Sequence, residues 1–181
     1  PSEEIYVQDE SENKVWRLGK GNLLLTYGFG YSKYEQNKLD IKQKLEVFVS
    51  MDKNIKFNLL GLKNNTNHNK KINLIYKVNT VLDEDEIKSE GNINLEYNKQ
   101  KDFVYSKNLY TSSIESISYI YSSENISSYT GNSKSINIFS NQELNNENSL
   151  GNKPCMAIKV QLELGAFEEK EIALILGACE K

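Results

Sequence analysis

"KINLIYKVNTV", residues 71–81, decides the fold class. Ile72, Leu74, Tyr76 and Val78 stand two apart, while Lys71, Asn73, Lys77 and Asn79 take mostly the positions between them. A strand points successive side chains to opposite faces, so a period of two reads as a strand with one buried and one wet face. "CMAIKVQLELG" (155–165) repeats the pattern with Met156, Ile158, Val160, Leu162 and Leu164, and "EEKEIALILG" (168–177) with Ile172, Leu174 and Leu176. Between them, "GAFE" (165–168) has the length and the leading glycine of a hairpin turn, which predicts that these two strands pair.

Working outward, the alternation predicts strands at 23–26, 42–49 and 55–62, the last two joined by the turn "SMDKN". Shorter strands are expected at 93–97, 103–105, 117–121 and 136–139. Leu45, Val47, Val49, Ile55, Phe57 and Leu59 join the residues above as the expected core. Prolines occur only at positions 1 and 154, so few strands are interrupted. Periodicity of 3.6 is not sustained anywhere; a short helical turn is expected near 140–144, where Ser or Asn can cap. The acidic stretch "LDEDEIKSEG" (82–91) reads as a charged hairpin connection and "NQELNNENSLGNK" (141–153) as a solvated loop. The fold class is therefore all-β, an antiparallel β-sandwich formed by one domain over 1–181.

A chain of 181 residues can bury a core without disulfide or metal staples. Net charge of −3 gives no footprint for nucleic acid. Arg17 is the one arginine, and the Lys, Asn and Ile bias reads as a coding habit rather than a function. Cys155 and Cys179 form no disulfide framework and are expected as reduced thiols of a cytoplasmic protein. No apolar run approaches the ~20 residues of a membrane helix. The opening "PSEEIYVQDE" is expected to be cut from a larger protein.

Catalytic chemistry is hard to place. His68, the single histidine, lies in the polar turn "NNTNHNK" and is expected in solvent. One His and two distant Cys do not suggest a zinc site, and no metal or other cofactor is expected. Neither a nucleophile elbow, a Walker loop nor a calcium loop occurs. Asp9, Glu10, Glu35, Asp40 and Glu46 could supply a carboxylate pair, but spacing selects none of them. The densest unusual stretch is "TYGFGYSKYEQN" (26–37), where Gly28 and Gly30 are expected to let a strand bend or bulge. Phe29, Tyr31 and Tyr34 would then pack beside it.

Three blocks of this chain, "EIYVQDESENKVW" (4–16), "YGFGYSKYEQNKLDIKQKLEVFVSMDKNIKFNLLGLKNNT" (27–66) and "NKPCMAIKVQLELGAFEEKEIALILG" (152–177), resemble in order and spacing the β-sandwich region of glycoside hydrolase family 94. This family, formerly glycosyltransferase family 36, holds cellobiose and chitobiose phosphorylases and part of cyclic β-1,2-glucan synthases, the branch it resembles most. Tyr27 and Gln36 stand where the family usually has His, and Lys153 replaces the Asp before Pro154–Cys155. In 129–139, Asn132 and Ser133 replace the Asp and Arg of a T-G-D-R stretch.

The resemblance implies a supersandwich, galactose-mutarotase-like domain that precedes a helical α/α barrel, with the catalytic acid on the barrel. It implies a carbohydrate-associated domain that is not an enzyme by itself, with a β-glucan oligosaccharide and the barrel as partners. A homodimer in which open edge strands or barrel-facing surfaces meet is also expected. Trp16, Tyr27, Phe29, Tyr31 and Tyr34 are the candidate sugar-contacting residues. A free-standing carbohydrate-binding module is the alternative, with Trp16, Tyr31 and Tyr34 as its platform. An immunoglobulin-type sandwich lacks its Cys–Trp–Cys spacing here.

Overall fold

The computed structural model describes residues 3–80, 82, 91–109, 116–140, 142–150 and 153–180. Most of the acidic stretch predicted as a hairpin connection, 83–90, lies outside the described residues. Fourteen strands occur among them, in two antiparallel sheets. The smaller sheet holds β1 (Glu3–Asp9), β2 (Lys14–Arg17), β7 (Lys70–Asn79), β11 (Ile126–Asn132) and β13 (Pro154–Leu164), in the order β11-β13-β7-β1-β2. The larger sheet holds β3 (Leu24–Tyr27), β4 (Tyr31–Lys38), β5 (Ile41–Val49), β6 (Ile55–Asn64), β8 (Ile93–Asn98), β9 (Phe103–Asn108), β10 (Ser116–Ser122), β12 (Ser149–Leu150) and β14 (Glu169–Glu180). Its order is β12-β8-β9-β10-β14-β6-β5-β4-β3. The all-β sandwich expected from the alternation is what the chain forms.

β7 carries the core as its sequence demands: Ile72, Leu74 and Tyr76 are fully buried and Val78 nearly so. Ile158 and Val160 on β13 pair across to Tyr76 and Leu74, and Ile5 and Val7 on β1 flank the same two residues. Opposite them, the larger sheet contributes Ile41, Leu45, Leu60, Leu62, Ile172 and Leu174. One buried ion pair stands inside this core. Lys70 Nζ lies 2.6 Å from Asp9 Oδ2, both side chains almost wholly removed from solvent, and the other carboxylate oxygen accepts from the backbone N–H groups of Ser11 and Glu12.

Several expectations are corrected. On β6 the inward residues are Asn58, Leu60 and Leu62, so Ile55, Phe57 and Leu59 face outward. Both faces of β6 carry apolar residues, and Asn58 is inside because it donates to Glu3 Oε1 at 2.8 Å and to the Tyr76 hydroxyl at 3.3 Å. Val49 keeps the inward phase of β5 but runs past the end of the sandwich and is exposed.

"GAFE" is a tight turn, closed by Glu168 N–H to Gly165 O at 3.1 Å, yet it joins no hairpin. β13 lies in the smaller sheet and β14 in the larger, so the chain crosses between sheets there. The 65–69 turn makes the same crossing alongside, and Asn64 pins both, donating to His68 O at 2.7 Å and to Gly165 O at 2.9 Å. His68 is exposed in that crossing.

The segment 136–139 is a turn rather than a strand, and no helix forms at 142–144; a single 3-10 turn lies at Ser133–Ser135 instead. Nor is 142–150 simply solvated. Lys159, buried on the outer face of β13, donates to Gln142 O and pairs with Glu143, and Leu144 packs with Cys155 and Ala157. Gln8 Nε2 donates to Ile138 O and Ser140 O. This segment thus covers the outer face of the smaller sheet and leaves the outer face of the larger one open.

Candidate aromatic face of the larger sheet

Register alone assembles the most unusual feature of the open face. Asn98 pairs with Phe103, Phe103 with Tyr121, Tyr121 with Ile175, Ile175 with Phe57, Phe57 with Phe48, and Phe48 with Tyr31. Directly opposed residues point to the same face of a sheet, so these seven make one row across seven strands, and five of them are aromatic. At about 4.8 Å per strand the row is about 29 Å long. Phe48 and Phe57 stack with centroids 5.0 Å apart, and Phe103 meets Tyr119 edge-on at 6.2 Å. The Lys33 ammonium sits 4.8 Å above the Tyr31 ring at the far end.

Beside the row, Glu96, Tyr105, Tyr119 and Gly177 form a second line. Gly177 has a specific role. A Cβ there would lie 2.2 Å from Cζ of Tyr119, so the phenol end of that ring occupies the space a side chain would fill and lies over bare backbone. Gly28 serves Tyr31 in the same way, its ideal Cβ falling 2.0 Å from Cζ of that ring. Phe103, Tyr105, Tyr119 and Tyr121, with Asn98, Lys101, Lys107, Ile117 and Cys179, line a groove of ≈ 570 Å³, within the size range of small-molecule sites.

Charge flanks the rings on both sides. Lys107 Nζ lies 3.1 Å from Glu96 Oε1, and the Tyr105 hydroxyl donates to the other Glu96 oxygen. That hydroxyl, first, then Lys107 and Asn94 hold the Glu96 carboxyl below the usual carboxylate range against the opposing effect of burial. The same bond to Glu96 and partial burial push the Tyr105 phenol up to about 12. On the other side Lys33 Nζ lies 3.2 Å from Glu46 Oε2.

Of the residues selected from sequence, the structure brings only Tyr31 to this row. Trp16 is enclosed in the core, where its Nε1–H donates to Gln43 Oε1 at 2.8 Å. Tyr34 pairs with Leu45 and packs inward, against Gly19. Tyr27 is exposed on the edge strand, and Phe29 is fully exposed at the tip of the β3–β4 turn rather than packed. That turn needs Gly30, whose φ is +85°. The carboxylates do not converge: Asp9 is bound to Lys70, Glu46 to Lys33, and Glu10 accepts from Asn73 at 2.8 Å. Among the described residues no three His, Cys, Asp or Glu side chains cluster closely enough to hold a metal ion.

Two stacked antiparallel sheets of such unequal size, nine strands against five, define a supersandwich, carried here by a chain with a ring-rich outer face on the larger sheet. The chain belongs to the glycosyl hydrolase 94 supersandwich-domain family, whose model matches residues 1–181. No curated protein matches. Among solved structures it is similar to a protein assigned as a kojibiose phosphorylase from the human microbiome, at 14% identity and a TM-score of 0.56 over 98% of this chain. It is also similar to a polysaccharide lyase, at 10% identity and a TM-score of 0.52 over 99% of this chain. At those identities the likeness concerns the fold. The chain spans 22% and 25% of the lengths of these two proteins.

Proposed function

We propose that this domain supports, rather than performs, sugar chemistry in a glycoside phosphorylase or cyclic β-1,2-glucan synthase-like enzyme. A helical barrel domain of the same parent chain would carry the catalytic acid and meet a β-glucan oligosaccharide, and this domain would hold the barrel and wall part of its sugar site. The observation that carries the reading is the family match across the whole chain. The short span of this chain against its structural neighbours agrees with it. A cytoplasmic location belongs to the same proposal; among the described residues no helix is long and apolar enough to cross a membrane.

Deleting these residues from the parent protein tests the reading. We expect phosphorolysis or transglycosylation to be lost, with the remaining chain poorly soluble. A parent that keeps full turnover and stability without them would contradict it. The aromatic row favours a second reading, an independent carbohydrate-binding module, which needs binding without a barrel.

A further inference from the structure

We propose that the outer face of the larger sheet carries a carbohydrate-binding site of its own, centred on Tyr119, Tyr105 and Phe103, that takes an oligosaccharide chain laid across the strands. It rests on the reading of the domain as carbohydrate-associated and adds the place and the contacts. A pyranose ring presents a C–H face that is apolar and a girdle of hydroxyls that is polar. The surface that fits it is a flat aromatic ring with hydrogen-bonding groups beside it.

Tyr119 supplies such a ring: it lines the groove, and its phenol end is seated over the bare backbone of Gly177. Tyr105 and Phe103 are its neighbours on β9, and Asn98, Lys101 and Lys107 reach the same groove. The site also has direction. The row continues from Phe103 through Tyr121, then across Ile175 to Phe57, Phe48 and Tyr31, which offers rings to several sugar units along a line perpendicular to the strands.

A docked protein domain is the competing occupant, and the charges decide against it. The centre of a protein interface is depleted in charged residues. Here Lys107 lines the groove and pairs with Glu96, which stands opposite Tyr105 on the neighbouring strand, and the Glu46–Lys33 pair flanks the far half of the row. Each pair is about one-third exposed, so its remaining hydrogen-bonding capacity faces outward. A narrow apolar track with polar walls matches a glycan chain, whose apolar faces and hydroxyl edges alternate in the same sense.

The test is a titration of the 181-residue protein, followed by backbone amide NMR, with cellotetraose, sophorotetraose and maltotetraose as probes. We expect saturable shifts from at least one probe at residues 98, 103–107, 117–121 and 175–179. Tyr119→Ala is expected to weaken binding by about tenfold, as truncating an aromatic anchor does. Gly177→Ala, which keeps every ring but lifts Tyr119 from its seat, is expected to do the same. Lys42→Ala, away from the row, should bind as the unaltered protein does. No shift with any probe, or shifts confined to other surfaces, would overturn the site, and neither result depends on a variant folding. Association through this face without sugar binding would overturn it too. Failure here leaves the parent-deletion experiment untouched, so the two readings fail separately.

Discussion

Single residues hold the interior of this sandwich through polar contacts as much as through apolar ones. Asp9 and Lys70 face one another in the core, and each is tolerated there only because of the other. Lys70→Met leaves a buried carboxylate with two backbone donors and no counter-charge. We expect a loss of about 3–5 kcal/mol in urea unfolding, and a loss near zero would show the pair to be solvated. Glu3 illustrates a pH-dependent contact. Burial alone would raise its carboxyl, but Lys56, Tyr76 and Asn58 bind the charged form and bring it below the usual carboxylate range. A depressed folded-state value contributes stability that is present above the unfolded value and lost as pH falls through the folded one. Glu3→Gln is therefore expected to flatten the decline in stability below about pH 4.5, the ordinary carboxyl value. An unchanged acid limb in chemical denaturation at several pH values would contradict this.

At the level of elements, β7 and β13 are the centre of the smaller sheet, paired residue by residue from Cys155–Asn79 to Leu164–Lys70. β3 is the opposite case, a four-residue edge strand with every residue exposed. Amide hydrogen exchange is expected to be slowest in β7 and β13 and fastest in β3, because opening an edge strand sacrifices few buried contacts. Comparable protection in β3 would mean that its edge is covered, as the expected homodimer would cover it. The same contrast explains what was legible in the sequence. β7 and β13 alternate cleanly, so both strands and their inward faces could be read directly, but the other face, expected to be wet, is buried at Asn73, Ile75, Ala157 and Lys159. β6 could be placed but not oriented, since Phe57 and Leu59 compete with Leu60 and Leu62, and the polar Asn58 took an inward place. β11, "ISSYTGN", was missed because its buried positions are Ser128, Thr130 and Gly131; Ser128 Oγ accepts from Leu144 N–H at 2.9 Å, a contact without any apolar signal. The 165–168 turn showed that the chain reverses, while which sheet receives the next strand depends on distant pairing.

Over the whole molecule, the aromatic face is assembled by register rather than by any motif. Phe103, Tyr119, Gly177, Phe57 and Tyr31 come from five strands spread along most of the chain, and only the ladder of pairings puts them on one face. Sequence spacing drew attention to the rings of 27–34, where glycines and aromatics are adjacent, and one of these, Tyr31, ends the row. The others were beyond its reach because inward and outward rings look alike until the strands are paired. Trp16 and Tyr34, both inside, are the examples. We propose that this domain contributes to carbohydrate chemistry without carrying it out. The most direct test is an assay of the purified 181-residue protein, free of host enzymes, with cellobiose, sophorose and β-1,2-glucan in phosphate buffer. We expect no release of glucose 1-phosphate or free glucose above the blank; turnover that scales with protein concentration would show that the domain is itself an enzyme.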